Sequence, residues 1–233
     1  MKSRDKVVIG SINAGWINSN LVVDLLHIMK ARPERFAAYV QVENSTLVTR
    51  SRNKLVKSFL EDFDAAWLLM IDADQRLPLD AFDKLLSAAH DKDRPIVSGL
   101  VFAKFGDDVA IRPVPTIYRW TGAGFSAIDD YPLDTVLPID GAGTGCLLIH
   151  RSVLELLREN ATESQGPDWA WFVDGPIAGQ WLGEDLLFSR RLASLGIPMH
   201  AHTGAICAHR KTFWLDERMH EPIRTAALAQ STN

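Results

Sequence analysis

The sequence predicts an α/β fold in one domain, with a mostly parallel sheet covered by helices. Three observations carry the prediction. Strand-like apolar runs alternate with helix-period segments from Val7 to Phe102, and such alternation builds parallel sheets through crossover helices. One run, Trp67-Leu-Leu-Met-Ile71, is apolar throughout, as a buried strand is. The chain has 233 residues with 47% hydrophobic and 23% charged content, enough for a sizeable core.

Taken in order, Val7–Ser11 reads as the first strand. Leu21, Leu25, Ile28 and Met29 then fall at helical spacing. Ala38–Val42 is a second strand. Ser51 is placed to cap a helix whose Leu55, Val56, Phe59 and Leu60 share one apolar face. Trp67–Ile71 is the third strand. Phe82, Leu85, Leu86 and Ala89 recur at i, i+3, i+4 and i+7, with Pro78 near that helix's start. Ile96–Phe102 is a fourth strand. Beyond it Pro113, Pro115, Pro132 and Pro138 punctuate short strands, including Thr116–Trp120. Gly141-Ala-Gly-Thr-Gly145 leads into a strand at Cys146–Ile149, and Ser152 is placed to cap Val153–Glu159. A tryptophan-rich loop, Asp168–Trp181, precedes a helix that starts near Gly183-Glu-Asp185. Phe188, Leu192 and Leu195 form its apolar face, and Gly196 ends it. Met199–Ala208 holds one or two last strands, and 225–233 reads as a mobile tail. No linker divides the chain. Residues 1–102 are read as a nucleotide-binding half and 103–224 as an acceptor-side half of one unit.

Net charge is −4, so no global basic field attracts nucleic acid. The N-terminal Met1-Lys-Ser-Arg-Asp-Lys6 runs into only a short apolar stretch, which is no signal peptide. No run of about 18 apolar residues exists to span a membrane. These features predict a cytoplasmic protein. Cys146 and Cys207 lie in strand-like apolar segments and read as buried free thiols.

The chemistry centres on Asp72-Ala73-Asp74, at the end of the third strand. Open α/β sheets bind ligands at the carboxyl ends of their strands. Two carboxylates on one face of a strand end suit Mg²⁺ or Mn²⁺ carrying phosphate groups; a solvated turn with helix-capping carboxylates is the plainer alternative. His209 follows another strand end and is a candidate third ligand. Glu184-Asp185 opens a helix directly after the tryptophan-rich loop. A helix N-terminus lowers a carboxylate's pKa, yet a general base facing a substrate hydroxyl fits this place, with Trp169, Trp171, Phe172 and Trp181 offering faces for a sugar ring. Arg50, Arg52, Asn53 and Lys54 sit at a helix start, where an anion is welcome. Ser11 and Asn13 follow the first strand. Gly141–Gly145 precedes a strand, so it is neither a P-loop nor a dinucleotide fingerprint; it reads as a turn that lets backbone approach a ligand.

Taken in order, Thr49-Arg-Ser-Arg-Asn53, Leu69-Met-Ile-Asp-Ala-Asp74, Gly143-Thr-Gly-Cys-Leu-Leu-Ile149, Gly183-Glu-Asp-Leu-Leu-Phe188 and His209 resemble the GT-A fold glycosyltransferases, in particular small enzymes of glycosyltransferase family 2 from bacteria and their phages. The resemblance spans Val7 to Lys211. It implies a GT-A (Rossmann-like) fold with a mixed, mostly parallel sheet flanked by helices. It implies a nucleotide-sugar donor, UDP- or GDP-linked, and Mn²⁺ or Mg²⁺. Asp74 and His209 would hold the metal, and Asp72 would contact the ribose or a metal-bound water. Arg52, Asn53, Ala73 and Lys211 would contact the donor nucleotide, with Ser11 and Asn13 near the base. Asp185 would be the catalytic base of an inverting transfer, with Glu184 orienting a sugar. Gly143, Thr144, Gly145, Trp171, Trp181 and Gly183 would line the acceptor side. The acceptor stays open among protein, glycan, metabolite and modified DNA. A nucleotidyltransferase of related fold is the rival enzyme, and a non-catalytic sugar- or nucleotide-binding module is the rival outside catalysis. For a phage-encoded chain the location would be the host cytoplasm.

Overall fold

The computed structural model describes residues 5–13, 15–43, 47–105, 112–161, 167, 170–212, 217, 220–221 and 225. The expected tail beyond residue 225 and Trp169 lie outside the described residues.

Strand β1 (Val7–Ile12) is buried for nearly its whole length, as its apolar run predicts. Helix α1 (Ser19–Ala31) follows, with the side chain of Asn18 accepting the Asn20 N–H as its cap. Next come β2 (Phe36–Val42), α2 (Val48–Asp62) and β3 (Trp67–Ile71). Helix α2 starts earlier than Ser51 suggests. Leu47 is its N-cap without a side-chain bond, and Ser51 lies inside the first turn, where its hydroxyl bonds back to the Leu47 carbonyl. Helix α3 (Leu79–Ala88) begins behind Pro78.

The predicted strand at 96–102 divides into β4 (Ile96–Leu100) and β5 (Phe102–Phe105), and β5 pairs with β6 (Arg112–Pro115). Short strands follow: β7 (Ile117–Trp120), β8 (Phe125–Ala127), β9 (Val136–Ile139) and β10 (Gly141–Ala142). Strand β11 (Cys146–His150) leads into α4 (Arg151–Glu159), whose cap is His150, not Ser152; the imidazole accepts the Ser152 N–H. Within the tryptophan-rich loop, β12 (Gly175–Ile177) and β13 (Gln180–Leu182) form a hairpin that the sequence reading leaves as loop. Its two-residue turn has positive φ at Ala178 (51°) and Gly179 (78°), the backbone that matches strand twist. Helix α5 (Glu184–Ser194) ends ahead of Gly196, at φ 68°, and β14 (Met199–Ile206) closes the fold.

The main sheet has the order β2-β1-β3-β11-β4-β14-β9. Strands β2, β1, β3, β4 and β14 run one way, and β11 and β9 run against them, so the sheet is mixed and mostly parallel. Side chains alternate between its faces. Leu68 and Met70 of β3 join Leu147 and Ile149 of β11 beneath α2, α4 and α5, where Phe59, Leu154 and Phe188 pack. Leu69, Ile71 and Leu148 point the other way, against Leu21 of α1 and Phe82 of α3.

Cys146 and Cys207 are buried free thiols with their sulfurs 3.2 Å apart. They reach each other across β4 because Gly99 has no side chain; a Cβ there would stand 2.7 Å from the Cys146 sulfur.

Candidate functional site

The carboxyl edge of the sheet gathers Asn13, Asp72–Asp74, Gly145, the start of α5 and the segment after β14. Backbone bonds hold the Asp72–Asp74 loop from several sides. The Asp72 N–H donates to the Gly145 carbonyl (3.0 Å), and the Asn18 N–H to the Ala73 carbonyl (2.9 Å). On its far side the loop pairs antiparallel with the 208–210 segment: Gln75 opposes His209, with Arg76 N–H to Ala208 O and Arg210 N–H to Asp74 O, each 2.8 Å. Arg76 is itself clamped by Asp24 of α1, through bonds of 2.7 and 2.8 Å, and Asp24 also accepts the Leu77 N–H. The sequence reading misses Asp24. Its signal is a carboxylate set within the apolar stripe of Leu21, Leu25 and Ile28.

That backbone pairing brings two side chains 135 residues apart to 2.9 Å: His209 Nε2 and Asp74 Oδ2. The other ring nitrogen, Nδ1, lies 2.9 Å from the Phe102 carbonyl, which can only accept. With Nδ1 protonated, the Nε2 lone pair faces Asp74, and a proton or a cation is needed between them. At 2.9 Å the two groups are at hydrogen-bond distance, and their oxygen and imidazole donors are of the kind that would hold Mn²⁺ or Mg²⁺. No cluster of three or more His, Cys, Asp or Glu side chains with metal-binding geometry occurs among the described residues. Asp74 and His209 therefore form a two-ligand half-site, and a phosphate-bearing ligand or water would have to complete it. Burial alone would raise the Asp74 carboxyl, but the bond and charge of His209, with Lys211 3.6 Å away, outweigh it and hold Asp74 below its usual range.

Beside this pair opens a cleft of about 240 Å³. Ile12, Asn13, Trp16, Val48, Ser51, Arg52 and Asp72–Asp74 line it. Trp16 is 51% exposed and Val48 46%. Both escape the sequence reading; the signal for Trp16 is a large aromatic in the loop between the first strand and its helix, where burial is not required. The lining thus combines apolar, polar and charged side chains.

Arg52 lines the cleft, but its guanidinium is 7% exposed and points between carboxylates: Nη2 is 3.4 Å from Asp72 Oδ1 and Nη1 3.1 Å from Glu184 Oε1. Asp185 accepts the Leu186 N–H at 2.7 Å. Burial pushes the Asp185 carboxyl above its ordinary value, against the lowering by that N–H and by Arg52. Glu184 is raised for the same first reason, with Arg52 again opposing and Asp185 adding to the rise. The helix start thus fails to make Asp185 a weak base, because desolvation wins.

The other expected site residues are placed as follows. Ser11 is 1% exposed and its hydroxyl bonds to Tyr39 at 2.5 Å. Asn53 is buried with both ends of its amide on the Phe172 backbone, at 2.8 Å each, which ties α2 to the tryptophan loop. Trp171 is 2% exposed, its Nε1 donates to the Leu154 carbonyl, and it offers no face to a sugar. Thr144 and Gly145 are buried beneath the Asp72 loop. Asn13 lines the cleft with its Oδ1 taken by the Gly15 N–H. Gly143 is partly exposed, and Gly183 is exposed at the N-cap of α5. Trp181 is 70% exposed on the hairpin, with its Nε1 anchored to Asp174.

No protein-family model matches this sequence, and no curated protein is similar to it in sequence. Among solved structures the chain is similar to A197 from STIV, at a TM-score of 0.56 and 20% identity over 91% of this chain and 87% of that one. It is also similar to GalNAc-T7, crystallised with UDP, GalNAc and Mn²⁺, at a TM-score of 0.58 and 10% identity over 89% of this chain and 44% of that one. The inositol-1-phosphate CTP transferase from T. maritima aligns at 0.49, too low to bear on the fold. At these identities the likeness shows the shared fold: a mixed, mostly parallel α/β sheet flanked by helices, of the GT-A kind. Among the described residues no helix is long and apolar enough to cross a membrane.

Proposed function

We propose that the chain is a metal-dependent glycosyltransferase that moves a sugar from a nucleoside-diphosphate sugar, UDP- or GDP-linked, to an acceptor hydroxyl. The observation that carries the reading is the Asp74–His209 pair, 2.9 Å apart at the carboxyl edge of the sheet and beside a cleft with apolar and charged lining residues. GalNAc-T7 shares the fold and was crystallised with UDP and Mn²⁺, which makes these the first ligands to test.

In this reading Asp74 and His209 hold Mn²⁺ or Mg²⁺. Bound there, the ion supplies positive charge against the departing diphosphate. Lys211, 40% exposed, adds a second cation on the same side. Trp16 and Val48 flank the base, Asn13 lies below it, and Asp72 with the Ala73 backbone stands at the ribose. Trp181 presents a flat face to the acceptor, and Glu184 and Gly183 border it. Asp185 accepts the proton of the acceptor hydroxyl. That oxygen bonds to the anomeric carbon as the bond from carbon to the diphosphate oxygen breaks, and the electron pair leaves with the diphosphate. Attack from the face opposite the diphosphate inverts the anomeric centre. Burial of Asp185 supports the base role, because a raised carboxyl accepts a proton more readily.

Calorimetry and melting with UDP and GDP, each with and without Mn²⁺, test the reading. One nucleotide is expected to bind only with the metal, and Asp74→Ala and His209→Ala are each expected to weaken it by about tenfold or more, or ~1.4 kcal/mol. Metal-independent binding, or unchanged affinity in both variants, removes the assignment.

A further inference from the structure

The resemblance gives Arg52 to the donor nucleotide, but the proposed reaction leaves it without a role. It lies in the second turn of α2, and its side chain is 7% exposed. A buried cation is tolerated only when paired. Its partners come from distant parts of the chain. Asp72 ends β3, where its own N–H is fixed to Gly145, and Glu184 is the first residue of α5. Nη2 faces the first carboxylate and Nη1 the second, at 3.4 and 3.1 Å. The contact with Asp72 is a long hydrogen bond, and the one with Glu184 is an ion pair without hydrogen-bond geometry, so charge carries most of the pairing.

We propose that Arg52 is a positioning residue: a charged strut that sets the spacing between the donor edge at Asp72 and the acceptor-facing start of α5 at Glu184. A lysine ammonium carries the charge at a single point, whereas the two guanidinium nitrogens each lie beside a different carboxylate. Because α5 begins with Glu184 and Asp185, a shift at Glu184 moves the neighbouring carboxylate away from the acceptor hydroxyl while leaving the nucleotide cleft in place. The proposal rests on the transferase reading for its consequence, though the strut itself is a property of the folded chain.

The test uses Arg52→Lys and Arg52→Met in the full chain. Calorimetry compares UDP with uridine, each with Mn²⁺. In both variants the preference for UDP over uridine is expected to stay within about threefold of the parent, because the guanidinium is not a phosphate ligand. Release of UDP from UDP-sugars is expected to fall by about tenfold or more in Arg52→Lys and further in Arg52→Met, with the loss in kcat and not in KM. A melting cycle combines Arg52→Met with Glu184→Gln; the double variant is expected to melt within about 1 °C of the weaker single variant, since the two changes break one contact. Collapse of the UDP preference in Arg52→Met would make the residue a phosphate ligand and overturn the proposal. Full turnover in Arg52→Lys, or additive melting losses, also overturns it. A parent protein that binds neither UDP nor uridine removes the UDP-transferase reading instead, and the melting cycle then decides on the strut alone.

Discussion

Replacing Gly145 by alanine tests how tightly the fold grips the Asp72 loop. The φ of Gly145 lies outside the left-handed region, so space is the only objection to a side chain. An added Cβ would stand 2.1 Å from Gln75 Nε2, 3.2 Å from Gln75 Cδ and 3.3 Å from Asp72 Oδ2. Normal contact needs about 3.5 Å, so the amide must retreat by about 1.4 Å. Gln75 is 1% exposed and its backbone pairs with His209, which leaves it no open route. Overpacking of this kind costs about 1–3 kcal/mol. For a chain of this size each kcal/mol lowers the melting point by about 2–4 °C, so a fall of roughly 2–12 °C is expected. Mn²⁺-dependent UDP affinity should fall as well, because the displaced residue lies between Asp72 and His209. Gln75→Ala removes the obstructing amide, so the double variant should regain most of the melting loss that Gly145→Ala causes. Scanning fluorimetry on the four proteins measures this directly. A Gly145→Ala protein that melts with the parent, or a double variant worse than the sum of the singles, would refute the reasoning.

Asp185→Asn should lower turnover by about 10²–10⁴-fold while Mn²⁺-dependent UDP binding persists; near-normal turnover would exclude Asp185 as the base. In the parent, Asp185 works only when unprotonated, and burial holds its pKa above the ordinary value. The rate should therefore fall as pH drops through that raised value, and a profile flat down to about pH 4 would contradict the assignment. Trp171→Ala should cost about 3–5 kcal/mol of stability as a core truncation, whereas Trp181→Ala should leave the melting point nearly unchanged and raise the acceptor KM; the reverse pattern in melting and kinetics would restore Trp171 to the acceptor site.

The elements were largely legible because their signals are local. The apolar run Trp67–Ile71 is β3 at those bounds, and the i, i+3, i+4 spacing of Phe82, Leu85 and Leu86 lies on α3. Capping was harder. Ser51 and Ser152 are good caps by residue type, yet Leu47 and His150 hold those places, because tertiary packing started each helix earlier. The hairpin of β12 and β13 was missed since its strands are three residues each, too short for alternation to register. At the site, residue type alone could not separate a surface tryptophan from a core one: Trp171 and Trp181 differ only in what packs over them.

Taken alone, the sequence determined the class of the fold and the presence of two carboxylates at the end of its third strand, since periodicity and strand-end chemistry are written within about a dozen residues. The tertiary structure decided which of those groups meet. Strand β11 enters antiparallel between β3 and β4 and sets Gly145 under Asp72. The segment after β14 pairs with Gln75 and delivers His209 to Asp74. Helix α5 brings Glu184 to Arg52, and packing buries Ser11, Asn53 and Trp171. These are contacts between segments far apart in the chain, fixed by how whole faces of strands and helices bury one another, and no local pattern encodes them.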